Sequence, residues 1–275
     1  MANNEEQSAF WNGRMGDAWV SVEAYIDKML SPLSDVAIEH AGAGTGKKIL
    51  DVGCGCGPTS LKLAGHGAEV LGVDISQQMI DRANQNAEGK DGISFRMADA
   101  AAENYNGDFD VVFSRFGVMF FDDPVAAFSN LRSALKPGGK LNVLVWQALV
   151  KNPWMSMAAK AIEPYQPQTE APNPTDPGPF AMADRDYTSD ILNRAGFSDI
   201  EYVDVEKTLH LGDNVDEVMD FQTYVGPLSR LLEEVDEGTG EKAKAAVRGV
   251  FAAQQSDDGI RMPAAALLVR ATNQA

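Results

Sequence analysis

Residues 47–60 read KKILDVGCGCGPTS, an apolar run that ends in a cluster of alternating glycines. The run KKILDV is typical of a buried parallel strand, and the PTSLKLAGH that begins within the same stretch has the pattern of a helix. Gly53, Gly55 and Gly57 let the backbone turn sharply and approach a ligand closely, because glycine has no Cβ. We therefore predict a strand, a ligand-binding turn and a helix, in that order.

The spacing of these glycines bears on the kind of ligand. A dinucleotide fingerprint has the form G-x-G-x-x-G, whereas here Pro58 takes the sixth position and the third glycine comes one residue early, at Gly57. Asp51, at the end of the strand, suits a ligand ammonium group better than a phosphate. Both features count against a pyrophosphate at this turn, and a nicotinamide-dependent oxidoreductase stays as the alternative interpretation.

Further strands and helices are predicted on the carboxyl-terminal side of the glycines. The predicted strands are 68–74, 93–99, 109–114, 140–146, 198–211 and 261–272, and the predicted helices of the first half are 76–87, capped by Ser76, and 122–139, capped by Asp123 and stopped by Pro137, Gly138 and Gly139. With the first strand, this alternation predicts an α/β fold with a doubly wound, mostly parallel sheet of seven strands. Such a sheet binds its ligand beyond the carboxyl ends of its strands.

The chain divides into three parts within one predicted domain. Residues 1–46 are predicted to form a helical arm or lid, residues 47–150 the ligand-binding core, and residues 151–275 the remainder of the sheet. The last part contains a proline-rich segment, 164–180, that is either a surface linker or a lid. It also contains two amphipathic helical patterns within 215–254, which we interpret as a cap inserted before the last strand.

Composition excludes several classes of function. The 40 acidic residues against 23 basic ones give a formal net charge of −17, which repels nucleic acid and anionic membranes. The two cysteines, Cys54 and Cys56, are too few for a disulfide framework or a zinc site. The acidic start and the lack of a long apolar run predict a cytoplasmic protein outside the membrane. We expect a monomer or homodimer that acts on a small molecule without a metal.

Side chains at the ends of the next two strands predict a nucleoside site. Asp74 ends the second strand, where a carboxylate accepts hydrogen bonds from two ribose hydroxyls. Ile75 and Met79 offer an apolar platform for a purine, and Asp99 with Ala100 places an acceptor near its exocyclic amine. Their common position at the carboxyl ends of successive strands favours a binding role over simple core packing.

In order and spacing, these motifs resemble those of class I S-adenosylmethionine-dependent methyltransferases. The segments that carry the resemblance are ILDVGCGCG (49–57), GVDIS (72–76), ADA (98–100), FDVVFSRFGVMFF (109–121) and LKPGGKL (135–141). They are most similar to the small-molecule branch that includes ubiquinone and menaquinone C-methyltransferases. The resemblance implies a Rossmann-like fold and S-adenosylmethionine as cofactor, which leaves as S-adenosylhomocysteine.

The resemblance also implies a role for individual residues. Asp51 would meet the methionine ammonium group, the turn from Gly53 to Gly55 would back the methionine carboxylate, and Ser114 with Arg115 would close the methionine side. The full set of predicted cofactor-binding residues is Asp51, Gly53, Cys54, Gly55, Asp74, Ile75, Met79, Asp99, Ala100, Ser114 and Arg115.

The acceptor side of the site is less clearly encoded. Methyl transfer from a sulfonium is an in-line displacement, so alignment contributes most and a strong base is optional. His210 and Tyr224 are candidate bases, and Arg115 is a candidate clamp for a substrate carboxylate. The aromatic residues predicted to wall the acceptor or to form the lid are Trp11, Trp19, Phe116 and Phe180, with Tyr224 as a further candidate.

Two sequence motifs that are absent narrow the class of methyl acceptor. No N-P-P-Y type tetrad follows Ser114, which disfavours methylation of nucleic-acid or protein amino groups. No carboxylates directly follow the fourth strand, which disfavours a Mg²⁺ site. The sequence therefore predicts a methyltransferase for a small-molecule acceptor, with a nicotinamide-dependent oxidoreductase or a non-catalytic S-adenosylmethionine-binding protein as alternatives.

Overall fold

The structure is a computed structural model that describes residues 4–167 and 173–274. The middle of the proline-rich segment, the first three residues of the predicted arm and residue 275 lie outside the described residues. Within the described part, no helix combines the length and the apolar character needed to cross a bilayer.

A single mixed sheet forms the centre of the described part. Its strands are Lys48–Val52 (β1), Glu69–Asp74 (β2), Ile93–Met97 (β3), Phe109–Arg115 (β4), Leu135–Trp146 (β5), Ser198–Gly212 (β6), Gln255–Ser256 (β7) and Gly259–Thr272 (β8). Their order is β3-β2-β1-β4-β5-β8-β6, with the two-residue β7 paired to β8. β1 to β5 run parallel, and β8 runs antiparallel to both of its neighbours. The predicted doubly wound, mostly parallel seven-stranded sheet is confirmed, with β7 as a small addition.

Helices cover the sheet and its carboxyl edge. They are Glu5–Trp11 (α1), Arg14–Ser21 (α2), Glu23–Ala41 (α3), Pro58–Gly65 (α4), Gln77–Asn86 (α5), Pro124–Ala134 (α6), Pro153–Ile162 (α7), Arg185–Arg194 (α8), Val215–Tyr224 (α9), Pro227–Glu234 (α10) and Glu237–Ala252 (α11). The Ser76 hydroxyl accepts a hydrogen bond from the Met79 amide at the start of α5, and Asp123 accepts one from Ala126 at the start of α6. Both predicted N-caps are confirmed.

Two predicted boundaries are wrong. The helix predicted to run to Gly139 ends at Ala134, because Leu135 already pairs with Phe109 and β5 begins there. The first helical pattern of the cap is two helices, α9 and α10, because Gly226 has a φ of 109° and Pro227 starts a new helix. The cap therefore consists of three helices.

The amino-terminal region contributes to two different layers. α3 buries Met29, Leu33 and Ala37 in the main apolar cluster, and the Asn142 amide of β5 donates to the Ala37 carbonyl. It is thus one of the helices that cover the sheet. α1 and α2 lie instead over the carboxyl ends of the parallel strands. Phe10 of α1 lies under the Arg230 guanidinium of α10, and Arg14 of α2 pairs with Glu233, so these helices contact the cap directly.

Candidate functional site

The loops that follow β1 and β4 meet where the strand order reverses. A Cβ on Gly53 would lie 2.7 Å from Gly117 Cα, and a Cβ on Gly117 would lie 2.7 Å from the Val52 carbonyl oxygen. Gly53 also has a φ of +65°, which glycine adopts without the strain other residues incur. In open α/β sheets, ligands bind at such a switch point, beyond the carboxyl ends of the strands.

Most backbone amides of the glycine loop are already engaged. The amides of Gly53 and Cys54 both donate to the Val73 carbonyl, at 2.9 and 3.1 Å. The Gly55 amide donates to Asp74 Oδ2 at 2.8 Å, and Pro58, the first residue of α4, has no N–H. An anion-binding turn needs free amides that point at its ligand. This loop is therefore poorly suited to a pyrophosphate.

Asp74 presents a nearly buried carboxylate at the end of β2. Its Oδ2 accepts from the Gly55 amide, and its Oδ1 accepts from the Ser76 amide at 2.9 Å. Each oxygen keeps a second acceptor direction for a ligand hydroxyl. Burial raises the pKa of Asp74, although these backbone hydrogen bonds oppose the shift. The two amides thus hold the carboxylate in one orientation, as a site for a pair of hydroxyls requires.

Asp51 is fully buried beneath the start of α4. Its Oδ2 accepts hydrogen bonds from the hydroxyls of Thr59 at 2.8 Å and Ser60 at 2.6 Å, whereas Oδ1 has no partner among the described residues. Burial raises the pKa of Asp51 to about 6, even though these hydroxyls and Arg115 favour the charged form. An ionised carboxylate with a bare oxygen in such surroundings is stabilised by a cationic ligand group.

The residues at the end of β4 are tied to neighbouring elements. The Ser114 hydroxyl donates to the Val52 carbonyl at 2.8 Å and accepts from the Gly117 amide at 3.2 Å, so it joins the two loops. The buried Arg115 guanidinium contacts Ser34 at 3.1 Å and Asp27 at 3.3 Å, both on α3. The structure therefore gives both side chains intramolecular partners, and their predicted ligand contacts stay predictions.

The amino-terminal arm covers the predicted nucleoside site. Asn4 donates to Asp99 Oδ1 at 2.8 Å. Asn12 donates to the Ile75 carbonyl at 2.8 Å and accepts from the Gln77 amide at 2.9 Å. The Trp19 indole nitrogen lies 3.8 Å from where a Cβ on Gly55 would be. α1 and α2 are therefore clasped over the ends of β1, β2 and β3.

The remaining predicted cofactor residues also lie around the glycine loop. Met79 is buried, with its Sδ 3.8 Å from the position of a Cβ on Gly55, and Ile75 is partly exposed next to it. Ala100 and the Cys54 thiol are buried. The structure thus brings together the residues predicted to hold the nucleoside, although their ligand contacts stay predictions.

The residues predicted for the acceptor side are aromatic wall residues and two candidate bases. Trp11 packs edge-on against Trp19 and Phe120, and Phe116 stacks on Trp146 at the ends of β4 and β5. Phe180 packs on the core beside Gly178, whose amide donates to the Met119 carbonyl at 3.0 Å. These side chains lie around the loops that follow β4 and β5.

The two candidate bases are placed elsewhere. His210 Nε2 lies 2.9 Å from Asp213 Oδ1, on the face of the antiparallel β6–β8 pair where Thr208 and Arg261 are exposed. Tyr224 is 49 % exposed at the end of α9. No described contact links either side chain to the glycine loop, so their catalytic roles stay predictions without structural support.

Sequence reasoning missed four residues at this edge. Trp146 ends a predicted strand next to β4, a position that could have marked it, and Trp154 packs on it from α7. Asn4 and Asn12 gave no signal, because their partners lie 95 and 63 residues away in the chain. As for metals, the described ranges hold no group of three or more His, Cys, Asp or Glu able to hold an ion, and the predicted absence of a metal stays a prediction.

The Asn12 clasp leads to a prediction about ligand release. The resemblance implies S-adenosylhomocysteine as the product, and for this ligand we expect Asn12→Ala to speed dissociation about tenfold, because it removes two hydrogen bonds of about 0.5–1.5 kcal/mol each that hold the arm. Stopped-flow fluorescence of the arm tryptophans measures this rate. Asn84→Ala is the matched control, since Asn84 bonds only to the Ile80 carbonyl of its own helix. Equal rates for Asn12→Ala and wild type would contradict a clasp that retains ligand.

Comparisons with known proteins fit this geometry. Residues 49–139 match the family model described as a methyltransferase domain. An uncharacterised protein of Mycobacterium tuberculosis is 26 % identical over 248 residues, which cover 85 % of this chain and 84 % of the relative. The domain match supports a methyltransferase.

Solved methyltransferases share the fold. Haemonchus contortus phosphoethanolamine N-methyltransferase 2, in complex with phosphomonomethylethanolamine and S-adenosylhomocysteine, matches with a TM-score of 0.54 and 19 % identity over 88 % of this chain. This chain spans about half of that one, 53 %. Streptomyces coelicolor geranyl diphosphate C-methyltransferase, in complex with Mg²⁺, geranyl diphosphate and S-adenosylhomocysteine, matches with a TM-score of 0.52 and 17 % identity over 88 % of this chain and 78 % of that one. The fold is Rossmann-like, as in these enzymes.

Proposed function

We propose that the protein is a class I methyltransferase that transfers a methyl group from S-adenosylmethionine to a small-molecule acceptor. The observation that carries this proposal is the chemistry of the switch point. Most of its loop amides are engaged, while two buried carboxylates, Asp51 and Asp74, keep free acceptor capacity there. A ligand that brings positive charge and hydroxyl donors matches this set, and a polyphosphate does not.

The residues fit S-adenosylmethionine group by group. Asp74 would accept from the two ribose hydroxyls, and Asp51 Oδ1 would face the ammonium group. Met79 and Ile75 offer the apolar surface for the adenine, and Gly55 has no Cβ to obstruct its approach. When bound, S-adenosylmethionine supplies a methyl group activated by its sulfonium sulfur.

The protein's part in the reaction is to position and to exclude water. The arm, clasped by Asn12 and lined by Trp11 and Trp19, closes the edge over the nucleoside site. The ends of β4 and β5 would hold an acceptor next to the methyl group that the bound cofactor supplies. Alignment of this kind contributes roughly 7–11 kcal/mol to in-line displacements.

A nicotinamide-dependent oxidoreductase is the weaker alternative. Pro58 removes the first amide of α4, and the Asp51 carboxylate already lies beneath the start of that helix, where a pyrophosphate would bind. We expect the protein to leave the fluorescence of NADH unchanged. We expect S-adenosylhomocysteine to raise the melting temperature of the protein. The reverse pair of results would overturn the proposal in favour of the oxidoreductase.

A methyl-transfer assay distinguishes a methyltransferase from a non-catalytic S-adenosylmethionine-binding protein. Incubation with methyl-labelled S-adenosylmethionine and a cell metabolite extract is expected to yield a labelled small molecule. Binding of the cofactor without any labelled product would favour the non-catalytic alternative. The net charge of −17 supports the further proposal that neither nucleic acid nor a membrane is a partner, and a cytoplasmic location stays a separate proposal. A monomer or homodimer and a relation to the ubiquinone and menaquinone branch also stay proposals.

Asp74→Ala tests the ribose assignment. We expect the dissociation constant for S-adenosylmethionine to rise at least about tenfold, because two hydrogen bonds to an ionised carboxylate are lost. Isothermal titration calorimetry measures it. Asp108→Ala is the matched control, because Asp108 pairs with Lys48 at the opposite, amino edge of the sheet. An unchanged affinity in Asp74→Ala would refute the assignment.

A further inference from the structure

Three aromatic rings form a continuous cluster at the carboxyl ends of β4 and β5. Phe116 stacks on Trp146 with ring centroids 3.9 Å apart and planes within 5°, and Trp146 meets Trp154 of α7 at 5.6 Å. Phe116 is followed by Gly117, whose backbone touches Gly53 of the glycine loop. The cluster therefore begins one residue from the site assigned above to the methyl donor.

The backbone at Phe116 has a strained conformation, and the Phe116 ring stacks on Trp146. Phe116 has a φ of 62°, and Asp199 is the other non-glycine residue with a positive φ in the described ranges. Such a conformation is unfavourable for an aromatic residue and persists where the surrounding structure enforces it, often at a functional site. Here the Phe116 amide donates to the Leu144 carbonyl at 2.8 Å, which holds the ring on Trp146.

Trp154 carries a donor that the protein does not use. Its indole Nε1–H is buried and has no hydrogen-bond partner among the described residues. Two residues before it, the buried Asn152 accepts from the Ala265 amide at 2.9 Å and donates to the Ala265 carbonyl at 3.0 Å, which fixes the start of α7. The indole is therefore positioned rigidly, and a buried N–H without an acceptor is unfavourable unless a ligand supplies one.

We propose that this cluster binds the methyl acceptor and that the Trp154 Nε1–H donates a hydrogen bond to an oxygen of it; this inference rests on the proposed function. The acceptor is then a neutral, aromatic or similarly unsaturated molecule that carries a carbonyl or comparable oxygen. Met119 is buried at the same strand end, where its sulfur accepts a hydrogen bond from the Trp146 backbone amide at 3.5 Å. A zwitterionic phosphoester fits less well, because the nearby Arg115 is already paired with Asp27.

A pair of matched ligands tests the proposal with the unmodified protein. The probes are 2-acetylnaphthalene, which has a carbonyl acceptor, and 2-ethylnaphthalene, which has a similar shape and none. With S-adenosylhomocysteine present, we expect the protein to bind the acetyl probe roughly fivefold more tightly, as one added neutral hydrogen bond allows. Phosphoethanolamine is the third probe, and we expect it to bind more weakly than either. Equal affinities for the two naphthalenes, or preference for phosphoethanolamine, would overturn the proposal.

Trp154→Phe assigns the effect to the indole. This variant keeps an aromatic ring and removes the N–H, so we expect the acetyl preference to vanish while the dissociation constant for S-adenosylhomocysteine is unchanged. Tyr105→Phe is the matched control, because it also removes a buried polar group without a partner among the described residues, here a hydroxyl, in a residue that packs on Phe109. Preference retained in Trp154→Phe would exclude Trp154 as the donor.

The two levels of inference fail separately. If the wild-type protein does not bind S-adenosylhomocysteine, the proposed function is overturned, regardless of how the naphthalene probes bind. Normal S-adenosylhomocysteine binding without the acetyl preference would overturn the aromatic acceptor site alone. Circular dichroism on Trp154→Phe checks that the variant is folded, and the comparison of the two probes on wild type needs no variant.

Discussion

Gly117→Ala is expected to lower the free energy of unfolding by about 2 kcal/mol, as overpacking at a tightly packed site does. A Cβ at this position would lie 2.7 Å from the Val52 carbonyl oxygen and 2.8 Å from Gly53 Cα. Both are backbone atoms, so no side chain can rotate away. Gly117 has an ordinary helical conformation, with a φ of −89°, so the effect measures the close approach alone.

The same substitution is expected to raise the dissociation constant for S-adenosylmethionine more than about tenfold, because relief of the clash must move the β1 loop away from the β4 loop. Chemical denaturation and calorimetry measure the two effects. Gly249→Ala, in the last turn of α11 with open space around it, is the control and should stabilise the protein by up to about 0.5–1 kcal/mol. Unchanged affinity and stability in Gly117→Ala would show that the two loops do not need to touch.

Asp51→Asn is expected to stabilise the ligand-free protein while it weakens cofactor binding. Burial raises the pKa of Asp51 from an ordinary value of 3.8 to about 6. Between these values the folded state holds a proton that the unfolded state has lost, so the wild-type stability falls as pH rises through this window. At pH 7 the ionised carboxylate costs up to about 3 kcal/mol, which the neutral amide avoids.

Urea unfolding at pH 4 and pH 7 tests the sign of this effect. The gain from Asp51→Asn should be full at pH 7 and small at pH 4, where the wild-type carboxyl is protonated in the folded state. Asp190→Asn, an exposed member of an i,i+4 ion pair with Arg194, should change stability by less than about 0.5 kcal/mol. A variant less stable than wild type at pH 7 would mean that the Thr59 and Ser60 hydrogen bonds outweigh the cost of ionisation.

Cofactor binding should respond in the opposite direction. A cationic ligand favours the ionised form of Asp51, so the affinity of the wild type for S-adenosylmethionine should decrease as pH falls below about 6. In Asp51→Asn this pH dependence should become weaker, with Asp74 as the remaining buried carboxylate of the site, and affinity at pH 7 should be at least about tenfold lower. Together these results would show that the buried charge of Asp51 lowers the free energy of unfolding but strengthens ligand binding.

Local patterns were sufficient for most of the sheet and its helices. The apolar run before the glycines, the capping side chains of Ser76 and Asp123, and the position of Asp74 all depend on residues close together in the chain. Of the two wrong boundaries, the break between α9 and α10 lies at a local signal, Gly226 and Pro227, whereas the early end of α6 arose where a tertiary contact overrides the local pattern. Leu135 joins β5 because Phe109 is there to pair with it, and pairing of distant segments leaves no mark on local periodicity.

The amino-acid sequence by itself determined the class of fold and the edge of the sheet where a ligand binds, because strand periodicity and glycine placement are local properties. The tertiary structure alone showed that Gly53 and Cys54 direct their amides to Val73, that Asn12 clasps the arm, and that the Trp154 indole N–H has no acceptor within residues 4–167 and 173–274. Whether a polar group is available to a ligand depends on every other group that could bond to it. That is a property of the packed chain and of no single segment.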